Sequence, residues 1–194
     1  SIDIPVSQGV LHAVDKVNLH VGRGEILCVV GESGCGKSLT SLAIMGLLPK
    51  NAQRSAETLE LKQEDLQKLT ERQLSDIRGN RMAMIFQEPM TSLNPSFTIE
   101  NQLLEPLFRH QELNKHDARN LVIEMLELVG IKPAEPRLRQ YPHQLSGGLR
   151  QRVMIAMSLL CNPDLIIADE PTTALDVTIQ AQILELMMGL REKF

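Results

Sequence analysis

Apolar and polar residues alternate along Ile2 to Val6 and again along Leu11 to Val21, the period of two that predicts strands at a sheet edge. Gly22 to Glu25 reads as a turn. Ile26 to Val30 is then continuously apolar, as expected of a strand buried on both faces. A glycine-rich loop follows, and the period lengthens to that of a helix from about Lys37 to Leu48, stopped near Pro49. Thr58 to Leu61 predicts a short strand. Thr70 starts a short helix that ends near Gly79, with Gln73 at the capping-box position. Met82 to Phe86 predicts another buried strand.

From Glu88 to about Asn162 the pattern is helical. One helix spans Ile99 to His110. A second is capped by Asn114, carries Asp117 three residues on, and turns Leu121, Met125, Leu128 and Val129 inward before stopping at Gly130. Pro133, Pro136 and Pro142 break the next stretch. Gly147 to Cys161 predicts a long helix, Leu165 to Ala168 a buried strand and Thr178 to Lys193 a final amphipathic helix. The order implies an α/β fold with a helical insertion. Residues 1–87 and 162–194 are expected to form a core with an edge β subdomain, and residues 88–161 a helical subdomain. Met82, Met84, Met154, Met157 and Met187 fall at spacings that read as core filling.

Composition narrows the function. A 194-residue chain with 43% hydrophobic and 23% charged residues can bury a real core. A net charge of -4 and a pI near 5.8 argue against a broad basic surface for nucleic acid. No apolar run approaches the ~18 residues a membrane span requires. The longest, Met154 to Cys161, is interrupted by Ser158 and reads as a buried helix. Cys28, Cys35 and Cys161 lack metal-ligand spacing and read as free thiols of a reducing compartment. The chain starts without Met and stops at the end of a helical pattern, so it is expected to be a fragment lacking a C-terminal part.

The chemistry begins at Gly31-Glu32-Ser33-Gly34-Cys35-Gly36-Lys37-Ser38, which fits G-x-x-x-x-G-K-[ST] in full. Glycines let successive backbone N–H groups turn toward phosphate oxygens, and the following helix presents its positive end to the same anion. Lys37 is expected to reach the β- and γ-phosphates of ATP and Ser38 to offer a hydroxyl to Mg²⁺; Leu39 closes the cofactor-binding stretch. The apolar strand Leu165 to Ala168 ends in Asp169 and Glu170. Asp169 is expected to help hold Mg²⁺. Glu170 is the expected general base for the attacking water.

Three further segments name a family. Leu145-Ser146-Gly147-Gly148-Leu149-Arg150-Gln151 resembles the signature sequence of ABC ATPases, Gln87 their Q-loop, and Ala174-Leu175-Asp176 their D-loop. The motifs occur in the family's order and cover essentially the whole chain. Ser146, Gly147 and Gly148 also open a helix and make a second anion site. The resemblance implies a P-loop NTPase core of the ABC ATPase type. It implies that the signature closes over ATP held by a second ABC ATPase domain, identical or not, so that two domains sandwich two ATP molecules head to tail. It makes Gln87, with Ser38 and Asp169, an expected Mg²⁺ neighbour and a partner of Glu170 in catalysis.

Phe86-Gln87-Glu88-Pro89-Met90-Thr91-Ser92-Leu93-Asn94-Pro95, Tyr141-Pro142-His143-Gln144 and Thr172 to Gln182 resemble the ATPase subunits of oligopeptide, dipeptide and nickel importers. That resemblance implies ATP hydrolysis driving import, permease subunits contacted through the Q-loop and the helical subdomain, and a peripheral place on the cytoplasmic face of the inner membrane. The alternative is an ABC-type ATPase acting on DNA or the ribosome. Its long coiled-coil or zinc-binding insertions are missing between Gln87 and Leu145.

Two features depart from the family pattern. No Phe, Tyr or Trp precedes Phe86 to stack on adenine, which leaves Ile4, Val6 or His12 as the surface beside the base. None of the five histidines fits the family's switch histidine, and His143 reads as structural. The chain alone is therefore expected to hold phosphates but to hydrolyse ATP poorly.

Overall fold

The computed structural model describes residues 1–88, 92–172 and 177–193, with the side chains of the last helix through Leu190. Pro89, Met90, Thr91 and Thr173 to Asp176, and with them the D-loop-like segment, lie outside the described residues. The chain divides into two compact units, Ser1–Ser75 and Asp76–Phe194.

In the first unit β1 (Ile2–Val6) and β2 (Gly9–Val14) form an antiparallel hairpin, and β3 (Gln53–Arg54) pairs with the other edge of β1, giving the order β2-β1-β3. Helix α1 (Lys37–Met45) packs on this sheet. Ile2, Val14 and Ala43 are buried there, with Leu39, Leu48 and Ala52 around them. Gly46 closes α1 in the left-handed region at φ 67°, three residues before Pro49. The two-residue strands β4 (Glu60–Leu61) and β5 (Glu64–Asp65) turn through Lys62 and Gln63, both at positive φ. The expected capping box is present at α2 (Glu71–Ile77): the Thr70 N–H donates to Gln73 Oε1 at 2.9 Å, and the Gln73 N–H to Thr70 Oγ1 at 3.4 Å.

Two strand predictions fail in this unit. The edge strand expected to reach Val21 stops at Val14, and Lys16 takes a positive φ of 47° just beyond it. Ile26 to Val30 forms no strand and lies exposed, Val30 by 89%. A strand buried on both faces needs ladder partners for its N–H and C=O groups. Within the first unit the sheet is already complete as β2-β1-β3, and no edge is paired with this segment. Hydrophobicity marks a segment fit for burial; it does not supply the neighbour.

In the second unit β6 (Met82–Ile85) pairs in parallel with β7 (Leu165–Ala168), Met82 opposite Leu165 and Ile85 opposite Ala168. The chain between them is a helical block: α3 (Ile99–His110), α4 (Lys115–Leu128), α5 (Glu135–Leu138), a 3₁₀ turn (Pro142–Gln144) and α6 (Gly147–Leu159). Helix α7 (Val177–Lys193) follows β7. Asn114 caps α4 as expected, its Oδ1 accepting the Asp117 N–H at 3.0 Å. Gly130 ends the helix at φ 85°. Arg152 of α6 donates to the Val129 carbonyl at 2.5 Å, so a cation sits on the last carbonyls of α4.

The core of this unit runs through Ile99, Leu103, Leu107, Val122, Leu126 and Ile155, all at most 1% exposed. Met82 and Met154 are buried, and Met157 and Met187 pack against the cluster. Strand β7 is half-buried where full burial was expected, since β6 is its sole partner among the described residues. Cys161 is buried, and that burial raises its thiol pKa, whereas Cys28 and Cys35 are exposed. No described helix is long and apolar enough to cross a membrane.

Candidate nucleotide site

The loop between Gly31 and Gly36 leads directly into α1. Gly31, Glu32, Ser33, Gly34 and Cys35 are exposed; Gly36 is buried, and Ser38 and Leu39 are half-buried. Gly34 and Gly36 take φ values of 82° and 93°, which open the backbone into the concave shape that collects N–H groups. Gly36 is the N-cap of α1, and its carbonyl accepts the Thr40 N–H and Thr40 Oγ1, each at 2.9 Å. A Cβ on Gly36 would stand 2.9 Å from the Ala13 carbonyl oxygen and 2.7 Å from Val14 Cγ2. The loop is therefore pressed against the end of β2, with room only for glycine. Lys37 Nζ donates to the Gly31 and Glu32 carbonyls at 2.8 and 3.0 Å. The ammonium thus bridges the mouth of the loop, where an incoming phosphate would compete for it.

The second unit carries the strand-end residues Gln87, Asp169 and Glu170. The parallel register sets β6 against β7 with a constant offset, and the same offset of 83 residues joins Gln87 to Glu170. Gln87 Nε2 donates to Glu170 Oε2 at 2.9 Å. The Asp169 N–H donates to the Ile85 carbonyl at 2.9 Å, extending the ladder one residue past β7. Glu170 holds a φ of 45°, a conformation that costs a non-glycine residue about 1–2 kcal/mol. Strain of this kind persists where surrounding contacts over-determine the backbone, and it clusters at functional sites. The sequence placed Gln87 and Glu170 in one site but did not predict their hydrogen bond; the signal was the equal spacing of two strands and two polar ends.

Ser146 caps α6, its Oγ accepting the Leu149 N–H at 3.4 Å. Ser146 and Gly147 are exposed and Gly148 is half-buried. A Cβ on Gly148 would approach Ile179 of α7 to 3.0 Å, so glycine lets α7 pack there. The segment before the cap is tightly tied. Gln144 Oε1 accepts the Tyr141 N–H at 2.8 Å, and Arg150 Nε donates to the Pro142 carbonyl at 2.7 Å. Pro142 and Leu145 are buried. The rings of Tyr141 and His143 stack with centroids 5.6 Å apart and planes 14° apart.

On the first-unit hairpin, His12 Nδ1 lies 2.7 Å from Asp3 Oδ1 and both side chains are substantially exposed. Ile4 is half-buried and Val6 exposed. Ile4, Val6 and His12 all lie on this hairpin, whose β2 end abuts the phosphate loop.

Comparison with known proteins adds a family, relatives and a fold. Residues 14–173 match the family model described as ABC transporter. The chain is 55% identical over 183 residues to the oligopeptide transport ATP-binding protein AppD of Bacillus subtilis (strain 168), covering 94% of this chain and 56% of the relative. It is 53% identical over 181 residues to the dipeptide transport ATP-binding protein DppD of Escherichia coli (strain K12), covering 93% of this chain and 55% of the relative. The chain thus spans a little over half the length of the curated relatives it matches. Among solved structures, the ATP-binding cassette MJ0796, described as a dimer in a post-hydrolysis state bound to ADP and Pi, superposes with a TM-score of 0.84. That match has 29% identity and covers 98% of this chain and 80% of that one.

Proposed function

The chain belongs to the ABC transporter family, and from that premise we propose that it is the ATP-binding and ATP-hydrolysing part of a subunit that energises peptide import. The observation that carries the enzymatic part is the Gln87–Glu170 hydrogen bond at the ends of β6 and β7. A neutral amide that donates to one carboxylate oxygen orients the group without protonating it, which a base for the water proton requires. The cargo assignment is supported by the names of the relatives, which are oligopeptide and dipeptide transport proteins. Nothing on the chain favours the DNA or ribosome alternative.

The residues divide the work. In the first unit, Gly31 to Leu39 bind the triphosphate, with Lys37 leaving the Gly31 and Glu32 carbonyls for phosphate oxygens. Ser38 offers a hydroxyl to Mg²⁺. In the second unit, Asp169 offers a carboxylate, and Gln87, whose Nε2 is turned to Glu170, offers its amide oxygen Oε1. These hard oxygen donors suit Mg²⁺, which supplies charge neutralisation on the phosphates when bound. Glu170 accepts the proton of the attacking water, and Gln87 holds the carboxylate in place.

Ser146, Gly147 and Gly148 close over ATP held by a second cassette, a reading supported by the dimeric, ADP- and Pi-bound state described for MJ0796. Residues 1–87 and 162–194 act as the nucleotide core and 88–161 as the helical part that, with the Q-loop, meets the permease. On this reading the protein works peripherally on the cytoplasmic face of the membrane.

Uptake of a labelled oligopeptide tests this reading in cells lacking the chromosomal copy and supplied with the full-length gene. Uptake should return with the wild-type gene and not with Glu170→Gln. Restored uptake of nickel instead of peptide would move the cargo, and uptake with Glu170→Gln would remove ATP hydrolysis from the process.

A further inference from the structure

Residues 1–85 contain no Phe, Tyr or Trp; the rings they carry are the imidazoles of His12 and His20. The part of the chain that abuts its own phosphate loop, the β1–β2 hairpin, offers aliphatic residues and His12. Stacking of a base on a phenyl, phenol or indole ring therefore has no source there, and the His12 imidazole is engaged with Asp3. The second unit has one stacked ring pair among the described residues, Tyr141 with His143. Both residues are exposed, and the pair directly precedes the Ser146 cap of α6. Near-parallel planes with offset centroids leave outer ring faces for another π system.

The pair is rigidly built. The 3₁₀ turn Pro142–Gln144 separates the two rings by one buried proline. Gln144 fixes the Tyr141 backbone, and Arg150 reaches back from α6 to the Pro142 carbonyl. The ring pair and the helix end are thus one mechanical piece. From Tyr141 to Gly147 the chain could span at most ~20 Å if fully extended. The turn shortens that span toward the reach of a nucleoside triphosphate.

We propose that the Tyr141–His143 ring pair stacks on the base of the ATP held by the partner cassette, while Ser146, Gly147 and Gly148 of the same segment take its terminal phosphate. This rests on the head-to-tail pairing proposed above. It gives the missing aromatic contact a source in trans: each chain grips the nucleotide's phosphates itself and receives the aromatic contact from its partner. Aromatic stacking is sequence-tolerant, so the pair would help any base and would act only once the cassettes close.

The test uses the full-length polypeptide carrying Glu170→Gln, so that ATP is bound and not consumed. ATP-driven pairing of cassettes is followed by light scattering, and ATP binding to the unpaired polypeptide by equilibrium dialysis. In that background, His143→Leu keeps side-chain bulk and removes the ring. It should raise the ATP concentration needed for pairing about tenfold, equivalent to about 1.4 kcal/mol, and leave binding to the unpaired chain unchanged. His143→Phe restores the ring and should restore pairing. Tyr141→Leu and Tyr141→Phe should behave as a matching set. Equal pairing by the Leu and Phe variants would overturn the ring-pair proposal alone. Failure of the parent Glu170→Gln polypeptide to pair at any ATP concentration would overturn it together with the head-to-tail reading.

Discussion

Glu170→Gln in the full-length polypeptide is expected to leave ATP binding intact and to lower turnover by about 10²–10⁴, the range that general acid–base catalysis supplies. The substitution is nearly isosteric. A glutamine at this position keeps a carbonyl oxygen at the place where Gln87 Nε2 donates, so the register-matched hydrogen bond of 2.9 Å can persist. The left-handed backbone at φ 45° is imposed by the chain around it and is unaffected by exchanging oxygen for nitrogen at the side-chain tip. What is lost is the group that accepts a proton. Phosphate release measured beside equilibrium nucleotide binding separates these effects. Turnover equal to wild type would remove Glu170 from the role of base, and loss of binding would make it a structural residue.

The second large effect is expected at Gly36. Gly36→Ala meets two penalties at once: a left-handed conformation at φ 93°, worth about 1–2 kcal/mol, and a Cβ 2.9 Å from the Ala13 carbonyl oxygen, a backbone atom that cannot swing aside. Gly34→Ala meets only the first penalty, since a Cβ there has nothing within 4 Å. ATP affinity should therefore fall more for Gly36→Ala than for Gly34→Ala. The melting temperature of the full-length polypeptide should follow the same order. Equal losses would show that the packing of the loop on β2 is unimportant and that conformation alone decides.

The contrast between the two glycines shows how much the sequence made legible. The motif Gly31 to Ser38 named both glycines and predicted the helix behind them. It did not distinguish one that must bend from one that must bend and also admit a neighbouring strand. Capping signals were read well because they are local: Thr70 with Gln73 and Asn114 with Asp117 make the bonds their spacing implied, and Ser146, read as opening a helix, stands at its N-cap. The helical block from Ile99 to Leu159 was legible because its apolar stripe buries within consecutive helices.

Pairing was not legible. Ile26 to Val30 has the composition of an interior strand, yet a strand exists only where another chain segment lies alongside, and that is decided by tertiary structure. The Gln87–Glu170 hydrogen bond lies between these cases. Both residues were marked by their place after apolar strands, but joining them required the parallel register of β6 on β7. His143, near the signature, read as structural. Its stacking on Tyr141 appears only when Pro142 bends the chain into a 3₁₀ turn.

We propose that the full-length polypeptide to which this chain belongs couples ATP hydrolysis to peptide transport. The most direct test is phosphate release by the assembled transporter in proteoliposomes, with the full-length polypeptide, its permease subunits and an oligopeptide substrate delivered by the cognate binding protein. The expected result is a release rate that rises when the loaded binding protein is added and disappears with Lys37→Ala, whose ammonium is the cation at the mouth of the phosphate loop. A rate indifferent to peptide, or undiminished by Lys37→Ala, would contradict it.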